Sequence, residues 1–115
     1  MNVSEFREII KYLEYVNDIS QGNWYDEIER CWKKEIEILS KNIEGTINFL
    51  KYECTSDEYS WISEIIDDLI EVTKSKELLD CYKELMSKFP EECKIYNIKE
   101  SIEYAEEYLG DEDNG

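Results

Sequence analysis

The sequence predicts an all-α fold, a single-domain bundle of about five helices joined by short loops. Three observations predict it. Apolar residues recur at helical spacing along most of the chain, and cap-forming residues punctuate them at Asn23, Thr55, Ser75 and Asn97. No β-branched alternation or hairpin dipeptide competes with that pattern. A chain of 115 residues has the length of one domain, 1–115, and can bury about two thirds of the surface its unfolded form exposes. Three Trp, nine Tyr and three Phe supply a core and set the chain apart from disordered acidic tails, which lack aromatics.

The first helix starts at a Ser4 N-cap, with Val3 stapled against its first turn, and runs to about Asp18. Phe6, Ile9, Ile10, Leu13 and Val16 line its inner face, and Tyr15 points away. Gln21-Gly22-Asn23 ends it, with Gly22 at the left-handed position and Asn23 capping the next helix. A second helix follows the line Trp24, Ile28, Cys31, Trp32, Leu39, Ile43, Ile47 and Leu50 to about Tyr52. Unbroken, it spans about 40 Å. Gly45 falls inside it at a cost of about 1 kcal/mol against Ala, and predicts a bend or a split into two helices, of which the bend is the favoured reading.

The third helix, 55–75, opens with a capping box formed by Thr55 and Glu58. Tyr59, Ile62, Ile65, Ile66, Leu69, Ile70 and Val72 share one arc, with Trp61 at its edge. Asp57, Ser60, Glu64, Asp67, Asp68 and Glu71 share the other, uninterrupted by a cation until Lys74. Ser75 caps a fourth helix whose inner line is Leu78, Tyr82, Leu85 and Phe89. Pro90 forces Phe89 out of helical backbone and ends that element, leaving a short helical turn over 91–94. Asn97 and Glu100 repeat the capping-box spacing. In the last helix Ile98, Ile102, Ala105 and Leu109 face inward, Tyr104 and Tyr108 flank them, and Glu100, Glu103, Glu106 and Glu107 face out. Gly110 closes it before an acidic, frayed tail over 111–115.

Charge is the dominant bulk feature. Twenty-nine acids against 13 bases give −16, of which residues 55–74 carry −5 and residues 98–115 carry −6. Such a field excludes nucleic acid and anionic membrane as direct partners, since phosphate binding needs concentrated positive charge. The second helix mixes Arg30, Lys33, Lys34 and Lys41 among its acids. The third stacks Glu64, Asp68 and Glu71 along one ridge and forgoes the i,i+4 pairs worth some tenths of a kcal/mol each. An ordinary solvated face explains either acidic helix alone. Two unopposed faces in a chain that elsewhere mixes signs predict an interaction surface for a basic partner, made of Asp57, Glu64, Asp67, Asp68, Glu71, Glu100, Glu103 and Glu107 with Tyr104 as an aromatic anchor.

Catalytic chemistry is poorly supplied. The chain has no His, no phosphate-cradling glycine loop, and four cysteines (Cys31, Cys54, Cys81, Cys93) without CxxC spacing or a neighbouring base. The cysteines therefore read as buried free thiols, and the sequence predicts no enzyme, no metal site and no cofactor. No leader-like or membrane-spanning apolar run is present, so the expected location is the cytoplasm.

The run Trp61-Ile62-Ser63-Glu64, Asp67-Asp68-Leu69-Ile70-Glu71, Thr73 and Ser75 resembles the central helix of small helical immunity proteins from bacterial contact-dependent growth inhibition systems. Phe89-Pro90, Tyr96-Asn97-Ile98, Ile102, Tyr104-Ala105 and Leu109 are similar to the end of the same proteins. The resemblance covers the second half of the chain by residues and the first half by helix pattern alone. It implies a cytoplasmic antidote whose partner is a cognate toxin domain, often a nuclease, with its basic active-site cleft covered by the acidic surface. The residues by themselves also admit an acidic nucleic-acid mimic that inhibits a DNA- or RNA-binding protein.

Overall fold

A computed structural model describes residues 1–110, and among them the fold is all-α with no strand. Eight helices replace the expected five: α1 (Val3–Ser20), α2 (Tyr25–Ser40), α3 (Ile43–Tyr52), α4 (Ser56–Ser63), α5 (Ile66–Thr73), α6 (Lys76–Glu84), α7 (Pro90–Tyr96) and α8 (Ile98–Glu107). A single 3₁₀ turn, Leu85–Ser87, extends α6. The expected frayed tail, 111–115, lies outside the described residues.

Two of the long helices are each two. The second breaks at Lys41-Asn42 and not at Gly45. Asn42 is extended (φ −143°), and its side-chain oxygen accepts from the Gly45 amide at 3.1 Å, so it is an N-cap. The buried Thr46 hydroxyl donates to the Leu39 carbonyl at 2.7 Å and ties α3 back to the end of α2. Gly45 serves a different purpose: a Cβ there would lie 2.5 Å from the Met1 nitrogen, so the missing side chain lets the start of the chain lie against α3.

The third helix breaks after Ser63. Ser60 and Ser63 turn their hydroxyls onto the carbonyls three residues back, Asp57 and Ser60, in competition with the helical ladder. Glu64 and Ile65 then make tight i→i−3 bonds, to Trp61 and Ile62, before α5 begins. Ser60, expected outside, is therefore buried, while Val72, expected inside, is 62% exposed at the far end of α5.

Caps follow the expected chemistry in some places and not in others. Thr55 and Glu58 form the full capping box, and Ser75 accepts from the Leu78 amide at 3.1 Å. At the first helix Asn2 caps in place of Ser4. Gln21 and Gly22 both take positive φ there, and α2 starts at Trp24 without a side-chain cap, so Asn23 caps nothing. Trp24, expected on the inner line, is 45% exposed. Asn97 takes the left-handed C-cap position of α7, and its amide donates to the Glu100 carboxylate, so no capping box forms. Pro90 acts as expected on Phe89 (φ −124°, ψ 59°), and then starts α7 itself.

The core is one large cluster and one small one. Phe6, Phe49, Tyr59, Ile62, Ile65, Ile66, Ile70, Tyr82 and Ile98 are among the most fully buried members of the first. Leu13, Val16, Ile28 and Cys31 form the second, where α1 packs on α2. At the centre, Tyr59 and Tyr82 stack at 4.3 Å, and each hydroxyl donates to the other residue's backbone carbonyl, at 2.9 and 2.8 Å. This reciprocal pair satisfies two polar groups in an otherwise apolar layer. Tyr59→Phe is expected to lower the unfolding free energy by about 1–2 kcal/mol in urea titrations.

Of the two buried acids among the described residues, Glu35 and Glu58, it is Glu58 that has a cation. Arg7 of α1 donates through Nε to its carboxylate at 2.7 Å. Burial pushes the Glu58 carboxyl up, but Arg7 and the Thr55 amide outweigh it and hold the group below the ordinary carboxylate value.

Candidate interaction site

The break after Ser63 divides the expected acidic set into two places. α5 packs against α8, and this brings Asp67, Asp68 and Glu71 of α5 and Glu107 of α8 within electrostatic reach of one residue, Tyr108. Tyr108 marks the junction. Its phenol is raised by the Glu71 charge first, then by burial, Asp67, Asp68 and Glu107. Burial raises the Asp68 carboxyl, and Asp67 and Glu71 add to it. Along α8 the Tyr104 hydroxyl donates to Glu100 at 3.2 Å, and that bond, with the charge of Glu100, Glu107 and Glu103, raises its phenol as well. Tyr104 is 53% exposed, among Glu100, Glu103 and Glu107.

None of Asp67, Asp68, Glu71, Glu100, Glu103 and Glu107 has an ion pair among the described residues. Lys74, the cation at the end of α5, lies over the Tyr108 ring at 5.3 Å. Glu106, on the other flank of α8, is held by Lys83 at 3.1 Å and does not join the patch.

Helix ends account for part of this charge. Asp67 and Asp68 occupy the first turn of α5 and Glu100 the first turn of α8, where the helix dipole favours a carboxylate. Glu71, Glu103 and Glu107 have no such support. Glu103 and Glu107 are a like-charged i,i+4 pair, and Glu107 stands at the negative end of its helix. These three are the charges that folding alone does not explain.

Asp57 and Glu64 lie elsewhere. With Asn17, Ser60, Trp61 and Tyr96 they line a cavity of about 210 Å³ between α1, α4 and α7. The ridge expected from Glu64 through Asp68 to Glu71 does not exist, because the chain turns between the first and the second. Tyr59, on the apolar arc of the sequence, is fully buried and takes no part in either acidic surface.

Sequence reasoning passed over Glu35. It lies on the apolar line of α2, four residues from Cys31 and from Leu39, is 0% exposed, and neither carboxyl oxygen has a hydrogen-bond partner. Burial, and then the Glu64 charge, push its carboxyl up to about 9, so it is a neutral acid at pH 7.

Cys31, Cys54 and Cys81 are buried and Cys93 half-buried, all as free thiols. Burial pushes the Cys54 thiol up to about 12 and raises the other three, the reverse of what a nucleophilic thiolate requires. Among the described residues no group of three or more Cys, Asp or Glu is placed to hold a metal ion. No helix among them is long and apolar enough to cross a membrane. No family model, curated protein or solved structure matches the chain.

Proposed function

We propose that this chain is an immunity protein. It binds a cognate toxin domain, a nuclease with a basic substrate cleft, and neutralises it by laying the α5/α8 surface over that cleft. The observation that carries the reading is the set of carboxylates Glu71, Glu103 and Glu107, unpaired among the described residues and unsupported by helix ends, on two helices packed side by side. A nuclease cleft is built to hold phosphates, and an array of fixed carboxylates offers it a competing anion. Exposed Tyr104 and Tyr108 within the array supply apolar contact that charge alone does not give.

On this reading the chain acts as a stoichiometric inhibitor in the cytoplasm, without cofactor and without catalysis. Co-expression with the toxin domain encoded beside it tests the proposal. Wild-type chain should restore growth and co-purify with the toxin at one to one. No rescue and no complex would reject it. Equal binding to several unrelated basic proteins would favour the nucleic-acid mimic instead.

A further inference from the structure

We infer that the cavity between α1, α4 and α7 receives an arginine side chain of the partner, with its guanidinium between the Trp61 indole and the Asp57 and Glu64 carboxylates. The inference rests on the partner being a basic protein, as proposed above, but uses a different surface from the α5/α8 patch.

Three observations and the chemistry of the guanidinium lead there. The walls combine two aromatic rings, Trp61 (half-buried) and Tyr96 (57% exposed), with two carboxylates and the polar Asn17 and Ser60. A planar guanidinium is the cation that stacks on an indole and donates to carboxylates in the same pose, which an ammonium does less well. Neither Asp57 nor Glu64 has a cation within ion-pair distance among the described residues. At about 210 Å³ the cavity is smaller than the roughly 300–1,000 Å³ of ordinary ligand pockets and suits a single side chain.

Glu64 also borders unpartnered polar groups that lie outside the cavity lining. Glu35, 0% exposed, keeps both carboxyl oxygens unpartnered, and Glu64 is the charged group whose field reaches it. The buried Trp32 indole N–H, which completes no hydrogen bond, also approaches Glu64. Glu64 thus lies between the unpartnered Glu35 and the cavity, without an ion pair of its own among the described residues. Near the cavity, burial first and then the Asp57 charge raise the Glu14 carboxyl, against which Lys11 and the Trp61 indole act. A cation entering the cavity from solvent would offset the charges of its two lining carboxylates, Asp57 and Glu64. A divalent metal is a poorer match, since no three of these groups converge on one point.

Three indoles, Trp24, Trp32 and Trp61, give three side-chain N–H resonances, and Trp61→Phe assigns the one that matters. The test titrates ¹⁵N-labelled full-length chain with acetyl-Gly-Arg-Gly-amide, its citrulline isostere, its lysine analogue and Mg²⁺. The arginine peptide should move the Trp61 resonance saturably, the lysine peptide should bind several-fold more weakly, and citrulline and Mg²⁺ should leave it in place. Asp57→Asn with Glu64→Gln should weaken the arginine peptide by about tenfold or more, since charge-assisted bonds are lost. Asp68→Asn with Glu107→Gln should change it less than about twofold, since those acids are in the other patch. A stationary Trp61 resonance in wild-type chain, or an equal response to citrulline or Mg²⁺, would overturn the inference. That failure would leave toxin binding through α5/α8 intact. Loss of toxin binding with a responsive Trp61 would instead remove the proposed function.

Discussion

Glu35→Met is expected to raise the unfolding free energy by about 2 kcal/mol or more near pH 8, because a buried carboxyl without partners is costly. The same variant should lose most of the wild-type pH dependence above pH 5. In the folded chain the Glu35 carboxyl holds its proton to about 9, against an ordinary 4.5. A raised acid of this kind contributes fully below the lower value. Between 4.5 and 9 the unfolded chain has released the proton and the folded chain has not, so stability falls as pH rises.

Glu58 acts in the opposite sense. Its lowered carboxyl contributes above its unfolded value and is lost as pH falls, so it adds no fall in stability above pH 5, where Glu35 leads the raised carboxyls Glu14, Glu64 and Asp68. Glu35→Gln separates the two parts of the effect. It removes the titration but keeps buried polar atoms, and should flatten the pH profile while recovering little stability near pH 5. Urea unfolding of the three chains between pH 5 and 9 checks this. Parallel profiles would mean that Glu35 is ionised or solvated.

The fold class was legible because Ile62, Ile66, Leu69 and Ile70, or Ile98, Ile102 and Ala105, repeat at helical spacing, and those residues are buried. The number of helices was not, because apolar spacing survives a break. Leu39, Ile43 and Ile47 stay on one line across Asn42, and Ile62, Ile65, Ile66 and Leu69 do so across Glu64-Ile65. The clues were the cap-prone Ser40-Lys41-Asn42 and the pair Ser60 and Ser63, whose hydroxyls draw off ladder carbonyls. Once α4 and α5 separate, Glu64 parts from Asp68. Which acids share a surface is then a tertiary fact, set by α5 packing on α8 and α4 on α7. Glu35 was visible as a charge on an apolar stripe. Its lack of any partner depends on neighbours distant in sequence.

The triple reversal Asp68→Lys, Glu71→Lys and Glu107→Lys is expected to weaken toxin binding by about a hundredfold or more and to abolish protection on co-expression. All three positions are exposed, so the fold should survive, and relief of like-charge repulsion favours it. Most of the loss should appear in the association rate and shrink as salt rises, because steering acts over about one Debye length, ~10 Å at 0.1 M salt. Glu5→Lys, Glu44→Lys and Glu84→Lys form the control. These exposed acids lie off the α5/α8 acidic face, Glu5 on α1, Glu44 on α3 and Glu84 on the side of α6 that meets α3, and change net charge by the same amount. Near wild-type rates are expected from it. Equal losses from both triples would make the effect one of overall charge and not of a surface.

Hydrogen exchange of the chain with and without its toxin domain reads the contact without any substitution. Backbone amides of α5 and α8, with those of α4 and α7 around Trp61, should slow on binding while α2 and α3 stay unchanged. Slowing confined to α2 and α3, with α5 and α8 exchanging as in the free chain, would contradict the account.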